Sequence, residues 1–308
     1  MMRRVLISLI PVILYATYIF GLRVLTLLTV VTFFAVLCEY LVARTLNPKN
    51  VKVSEAVIVT SFLYTLSLPP AIPYYIAVIG ILFGVLFGKM AFGGFGKNVF
   101  NPAMVSRCFI YISFPSYLTI TWSNPFSGFP GGILNYSKVD AITNATPILS
   151  MKNNLEPTSY LDMFVGNTPG AIGATSAILL LISGIYLVYT KTASFKLMYS
   201  TFLSYSILYS IFYYTDIVNV DPLTSILSGG LMFGVVYIVT EPISAPKQEV
   251  SKIIYGALIG ALTVVISTFS VFAGAVMFSV IIGNTFAPLI DKYVNEFKTK
   301  RRVASNEK

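Results

Sequence analysis

Histidine is absent from this chain of 308 residues, and cysteine occurs only twice, at Cys38 and Cys108. Without histidine, haem ligation by His, His-based zinc sites and Ser-His catalysis are closed to it. Two thiols are too few to hold an iron–sulfur cluster within this chain alone. They read as small apolar residues inside helices rather than as a disulfide or a metal site. A redox role would therefore need an organic cofactor. Charge is scarce as well: 11% of residues are charged against 56% hydrophobic, with a mean hydropathy of +0.79. The solvent for most of such a chain is lipid, so it reads as an integral membrane protein.

Apolar runs approach or reach the roughly 20 residues that cross a hydrocarbon core about 30 Å thick. They are Val5 to Leu22, Val24 to Val42, Tyr74 to Lys89, Ser176 to Tyr189, Leu197 to Tyr214 and Ile253 to Thr268. Shorter or broken runs lie at Ala56 to Leu68, Met104 to Phe114, Leu223 to Val239 and Gly274 to Ile290. The expectation is an all-α polytopic protein with about ten crossings. Val5 to Leu22 follows Arg3 and Arg4 as a signal sequence would, but no small-residue cleavage site comes before the next run, so it reads as a retained first helix.

Short cytoplasmic loops hold the positive charge of such proteins. With the N-terminus inside, 18 of the 21 Lys and Arg residues fall inside and only Arg23, Lys138 and Lys152 outside. Both termini are then cytoplasmic, in the cytoplasmic (inner) membrane, and Ser116 to Thr168 is extracytoplasmic. The net charge of +9 is topology plus a basic tail near anionic lipid, not a nucleic-acid surface.

Sliding residues 57–115 onto 230–288, an offset of 173, places Pro69, Pro73 and Pro115 on Pro242, Pro246 and Pro288. Tyr64, Ile81, Met104 and Ser106 then meet Tyr237, Ile254, Met277 and Ser279. The prolines mark ends of interrupted apolar segments, and Pro69 falls outside where Pro242 falls inside. This reads as an inverted repeat with broken half-helices, an architecture that buries polar ligand sites at the repeat interface. The alternative is that Pro and Gly are simply common in membrane helices. Residues 1–308 are read as one membrane domain, with halves at about 1–115 and 171–290 joined by the loop 116–168.

That loop contains DAITNATPI, Asp140 to Ile148. Asp140, Thr143, Ala145 and Thr146 stand in the order Asp-x-x-Thr-x-Ala-Thr, close to the pattern in which flavin mononucleotide (FMN) is esterified through its phosphate to a threonine hydroxyl. A small residue before the acceptor lets a transferase approach; Asn144 stands where glycine is frequent and tolerates positive φ. The same residues also suit a turn before a short helix, with Pro147 near its first position. PGAIGATSA, Pro169 to Ala177, holds a rival Ala-Thr pair but lacks the Asp and Thr at spacing. Its Gly170 to Ser176 stretch, with Gly173 and Thr175, opens a helix whose N–H groups suit contact with the FMN phosphate; glycine-rich packing is the alternative.

Asn98 and Asn101 sit three apart, on one helical face if the helix extends that far. Carboxamides donate and accept, matching the edge of an isoalloxazine ring; the competing reading is a capped half-helix with Pro102 in its first turn. GGFGK, Gly93 to Lys97, lacks both GxGxxG and GxxxxGK[ST] spacing, so no nicotinamide site is read here. Glu39, Glu55 and Glu241 lie at apolar segments, where charge is costly and often functional. Pairing with Arg44, Lys52 or Lys247 near the cytoplasmic surface is the plainer expectation.

GGFGKNVFNPAMVSRCFIYISFP, Gly93 to Pro115, resembles the signature of RnfD, a membrane component of the Rnf electron-transport complex, and of its relative NqrB in the sodium-pumping NADH:quinone oxidoreductase. IVTEPISAP, Ile238 to Pro246, then IIYGALIGALTVVI and NTFAPLIDKYV, resemble the C-terminal half of the same family, and LSLPPAIPYY and DAITNATPI extend the match from about Ser54 to Val294. The chain starts almost directly with its first helix, without the long extension typical of NqrB, which favours the Rnf branch. The resemblance implies covalent FMN on Thr146 and a second, non-covalent flavin, riboflavin, near Asn98 and Asn101. It implies a complex coupling electron transfer between ferredoxin and NAD to Na+ or H+ movement, with a second flavin subunit, iron–sulfur subunits and an extracytoplasmic flavin transferase as partners. A flavin-free small-solute channel or transporter of related fold, or a scaffold protein, is the competing class.

Overall fold

The computed structural model describes residues 1–46, 48–49, 51–119, 122–126, 132, 147–152, 158–228, 230–270 and 274–306. All regular elements among them are helical. The first half runs α1 (Met2–Phe20), α2 (Arg23–Leu46), α3 (Glu55–Leu66), α4 (Tyr74–Gly88) and α5 (Pro102–Ser113). Short helices α6 (Pro115–Thr119), α7 (Pro147–Lys152) and α8 (Tyr160–Val165) follow. The second half is α9 (Ala177–Tyr189), α10 (Phe195–Tyr214), α11 (Pro222–Leu227), α12 (Gly230–Phe233) running into a π-helical turn (Gly234–Ile238), α13 (Glu249–Phe269) and α14 (Ala275–Asn306).

Among the described residues, five helical stretches are long and apolar enough to cross a membrane: Met2–Phe20, Arg23–Leu46, Tyr74–Phe92, Glu249–Phe269 and Ala275–Lys300. Glu55–Leu66 and Ala177–Tyr189 are shorter apolar helices. At 1.5 Å per residue, α3 covers only about 18 Å, so it is a half-helix whose end carbonyls must be satisfied within protein. The chain does this with a remote segment: Gly173 N–H donates to Leu66 O (2.7 Å) and Ile172 N–H to Leu68 O (3.0 Å).

The offset of 173 carries α1, α2, α3, α4 and α5 onto α9, α10, α12 with its π turn, α13 and α14. Packing follows the same rule, with α4 on α2 and α5 and α13 on α10 and α14. The halves meet through corresponding helices, α1 against α9 and α5 against α14. At this seam the Ser8 carbonyl accepts from Ser183 Oγ and Tyr237 Oη, both at 3.0 Å. Ser106 and Ser279, both buried, each bond back one turn, to Pro102 O (2.9 Å) and Ala275 O (2.8 Å).

Small residues let these helices close without a hydrophobic drive between them. Gly80, Gly84 and Gly88 form one ridge of α4; a Cβ on Gly84 would stand 1.8 Å from Ser106 Oγ and 2.6 Å from Pro102 O. On α13 the ridge is Gly256 and Gly260, pressed against α10, where a Cβ on Gly260 would meet Thr201 O at 2.4 Å.

The run Leu223 to Val239, read as short or broken, divides into α11, which Asp221 caps through Thr224 N (2.8 Å), and α12 with its π turn. One expectation changes. Pro288 does not end a segment as Pro115 does; it lies inside α14. Phe114 leaves the helical region at φ −136, ψ 58 before Pro115, whereas α14 continues beyond Pro288 to Asp291. The Asp291 carboxylate there accepts from Lys247 N (2.8 Å) and Gln248 N (3.3 Å), capping α13. That anchorage holds the helix through a residue that forfeits one backbone bond.

Candidate functional site

The polar groups of the first half converge around the ends of α2, α3, α4 and α5. Glu39 of α2 and Lys89 at the end of α4 form an ion pair at 2.7 Å, with side chains 3% and 2% exposed. Ser54, before α3, completes it: its N–H and Oγ donate to Glu39 Oε1 (3.1 and 2.8 Å), and its Oγ accepts from Lys89 Nζ (2.7 Å). A buried pair is stable only with such extra bonds, because desolvation otherwise exceeds the Coulomb gain. Glu241, just past the π turn, accepts from Ser244 Oγ (2.6 Å), bonds the Asn98 side chain and lies within electrostatic reach of Lys89. The partners foreseen for these acids, Arg44, Lys52 and Lys247, are not the ones used; Glu55 pairs instead with Arg3 at 2.7 Å. Lys89 and Ser54 were missed because a basic residue at a helix end reads as a topology marker. The signal was available: Lys89 closes an unbroken apolar run and so needs a buried partner.

Asn98 and Asn101 do not share a helical face, since α5 begins at Pro102. Pro102 favours the first helical position and Asn101 the cap. Asn101 Oδ1 accepts from Ala103 N (3.0 Å) and Met104 N (3.3 Å). Its Nδ2, in a residue 1% exposed, has no hydrogen-bond partner among the described residues. Asn98 Nδ2 donates to Phe100 O at 3.0 Å.

Asn101 lines a cleft at the seam between the halves, with Thr60 and Leu63 of α3, Tyr237 of the π turn, Thr240 and Glu241. Its enclosed volume is about 50 Å³, against roughly 300–1,000 Å³ for a ligand pocket. The unpartnered amide fits a ring's acceptor edge, but the space takes only that edge unless Met1 and Met2, which also line it, swing aside.

Gly173 and Thr175 lie at the far end of α3. The N–H groups of Ile172, Gly173 and Ala174 are engaged by Leu68, Leu66 and Ala171 carbonyls. A Cβ on Gly173 would stand 2.7 Å from Leu66 Cβ, and Thr175 is 3% exposed. This stretch therefore serves helix packing. Asp140, Thr143, Ala145 and Thr146 lie outside the described residues, which resume at Pro147 with α7. Midway along α5, Arg107 is half-buried beside Tyr64 and Tyr111. It makes no hydrogen bond or ion pair among the described residues, and its Nε is fully enclosed. No group of His, Cys, Asp and Glu among the described residues could hold a metal ion.

Residues 1–300 match the NQR2, RnfD, RnfE family. Curated relatives include the NqrB-type component of the Na+-translocating NADH-quinone reductase of Ectopseudomonas mendocina (strain ymp), 33% identical over 268 residues, 83% of this chain and 63% of the relative. The same component in Chromohalobacter salexigens is 32% identical over 264 residues, 82% and 61% of the two chains. The RnfD-type component of the Na+-translocating ferredoxin:NAD+ oxidoreductase complex of Acetobacterium woodii is 31% identical over 300 residues, 96% and 88% of the two chains. The chain thus spans about 63% of the length of the quinone reductase components it matches.

Proposed function

Since the chain belongs to the NQR2, RnfD, RnfE family, we propose that it is a membrane subunit of a redox-driven ion-translocating complex and carries flavin for electron transfer within it. The observation that carries this reading is the family match through residues 1–300. The branch we favour is the ferredoxin:NAD+ oxidoreductase, because similarity to its RnfD-type component extends over 96% of this chain. Ferredoxin oxidation and NAD binding belong to other subunits in this reading, among them a second flavin subunit and iron–sulfur subunits.

Thr146 is the attachment residue, its hydroxyl esterified to the FMN phosphate by an extracytoplasmic transferase; Asp140, Thr143 and Ala145 form the recognised sequence around it. Bound flavin supplies the exchange of one or two electrons. What this chain contributes is placement. Thr146 tethers the group at the outer surface, while the Asn101 amide and the seam cleft offer a hydrogen-bonding edge toward the inner surface for a second, non-covalent flavin. Keeping Lys89 compensated by Glu39 and Ser54 leaves that cleft without an unbalanced ammonium.

The test is Thr146→Val in cells that contain the transferase. In-gel flavin fluorescence of the denatured protein should disappear, and a flavin-bearing Thr146 peptide found by mass spectrometry in the unaltered protein should be lost. Fluorescence surviving the substitution defeats the assignment.

A further inference from the structure

GGFGK, Gly93 to Lys97, sits where the two repeats part company. The offset of 173 sets Gly93, Gly94 and Gly96 against Ile266, Ser267 and Phe269, all inside α13. In the first half α4 ends at Gly88 and a 3₁₀ turn spans Met90–Phe92. The chain then leaves the helical path, with Gly93, Gly94 and Gly96 at φ of 98°, 91° and 85°. Only glycine takes such angles readily. A Cβ on Gly94 or Gly96 would meet nothing within 4 Å among the described residues, so the course of the backbone, not packing, calls for these two. That course carries Phe92 and Phe95 outward, 38% and 52% exposed. Phe92 leans edge-on against Phe100, with ring centroids 6.1 Å apart and planes at 62°, which leaves Phe95 as the large apolar side chain at the tip.

Both feet of the loop are fixed. Lys89 at one is locked to Glu39 and Ser54, and Asn98 at the other bonds Phe100 O and Glu241. An apolar ring held out on a rigid base is pre-organised for association. The charge topology places the loop at the cytoplasmic side. Lipid headgroups border both faces of a bilayer, yet the counterpart of the loop at the opposite face is plain helix, so lipid contact alone does not account for it. Between Glu55 and Asp140 the sequence holds no Asp or Glu, and Lys97, two residues from Phe95, is exposed. We propose that this loop docks a water-soluble subunit of the complex, with Phe95 entering an apolar pocket on it and Lys97 meeting carboxylates around that pocket. Aromatic anchors in desolvated pockets dominate such interfaces, and charge at the rim governs the rate of approach. The proposal rests on the reading of this chain as one subunit of a multi-subunit complex and on no flavin.

The test uses the complex purified through a tag on this chain, with the soluble subunits defined as those that alkaline carbonate strips from the membranes. Phe95→Ser should weaken their binding at least about tenfold, read by mass spectrometry as their loss relative to the membrane-embedded subunits. Lys97→Glu should weaken it by a smaller, salt-dependent factor. Gly94→Ala strains the turn without meeting a neighbour and should weaken it although Phe95 is kept. Phe269→Ser, which removes an exposed ring from the counterpart segment, should leave the composition unchanged. A photoreactive benzoylphenylalanine in place of Phe95 should crosslink to a soluble subunit. Soluble subunits retained in full by Phe95→Ser overturn the proposal, and so does a photoproduct with lipid, a second copy of this chain or a membrane-embedded subunit alone. Should Phe95→Ser disturb the membrane-embedded subunits too, the crosslink carries the decision. Purification of the unaltered chain with no other subunit overturns the complex reading itself, a separate failure.

Discussion

Asn101 and Gly274 occupy the same position in the two repeats, as do Lys89 and Leu262, Arg107 and Val280, and Glu39 and Phe212. The reverse holds for Glu241, whose counterpart is Leu68. Residues that shape the frame are shared instead: Tyr64 and Tyr237, Met104 and Met277, Ser106 and Ser279, all buried in both copies. A duplicated frame can thus be kept while charged side chains such as Glu39, Lys89 and Arg107 stand in one copy and apolar ones in the other, since helix packing depends on shape and the ion pair depends on charge. The seam is where the exception occurs: Glu241 of the second half faces Asn98 and Lys89 of the first.

The largest effect should come from making the first half resemble the second at its ion pair. Glu39→Leu or Lys89→Leu alone strands a buried charge and should cost about 3–5 kcal/mol, read as a large fall in thermal stability of the detergent-solubilised complex. The double substitution should recover most of that, because a buried pair replaced by apolar side chains is often neutral. A double variant as weak as either single one would mean that the pair does more than neutralise itself.

A medium effect is expected at Gly84, whose counterpart is Ala257. Gly84→Ala drives a methyl into Ser106 Oγ and should cost about 1–3 kcal/mol, while Ala257→Gly on α13 should cost only about 0.5–1 kcal/mol. Adding Ser106→Ala to Gly84→Ala should return part of the loss, since the two sites touch and therefore couple. Equal costs in the two halves would break the comparison.

The smallest effect on stability concerns Asn101. Asn101→Ala removes the α5 cap at about 1 kcal/mol, whereas Asn101→Asp keeps the accepting oxygen of the cap and places a carboxyl group in the cleft that Glu241 also lines. Asp lacks the unpartnered N–H donors, so non-covalent flavin content, measured after denaturing extraction, should fall in both variants. Flavin content unchanged in Asn101→Asp would assign the amide to helix capping alone.

Much of the frame was legible because its causes are local. Apolar length marks the long helices, and the prolines at 69, 73 and 115 mark where segments stop. The offset of 173 shows in the sequence because packing requires similar shapes at the same places. Pro288 misled because its effect depends on Asp291 bonding a distant helix start, which no local pattern contains. The same holds for Lys89: a lysine at a helix end looks alike whether it meets water or Glu39. Asn101 was readable as a cap from Pro102 beside it, but the empty valence of its amide appears only when the neighbours are in place. The loop with DAITNATPI, by contrast, is read from residue identity alone, since Asp140 to Thr146 lie outside the described residues.

Arg107 carries a consequence for any negative group that comes near the middle of α5. No counter-charge faces its guanidinium among the described residues, so its field is not cancelled nearby. At an effective dielectric of about 20, a unit negative charge about 10 Å away gains roughly 1.7 kcal/mol from it. Fixed in α5, this guanidinium acts as a standing electrostatic bias that favours an anion, or a group that has just gained an electron, over its neutral form.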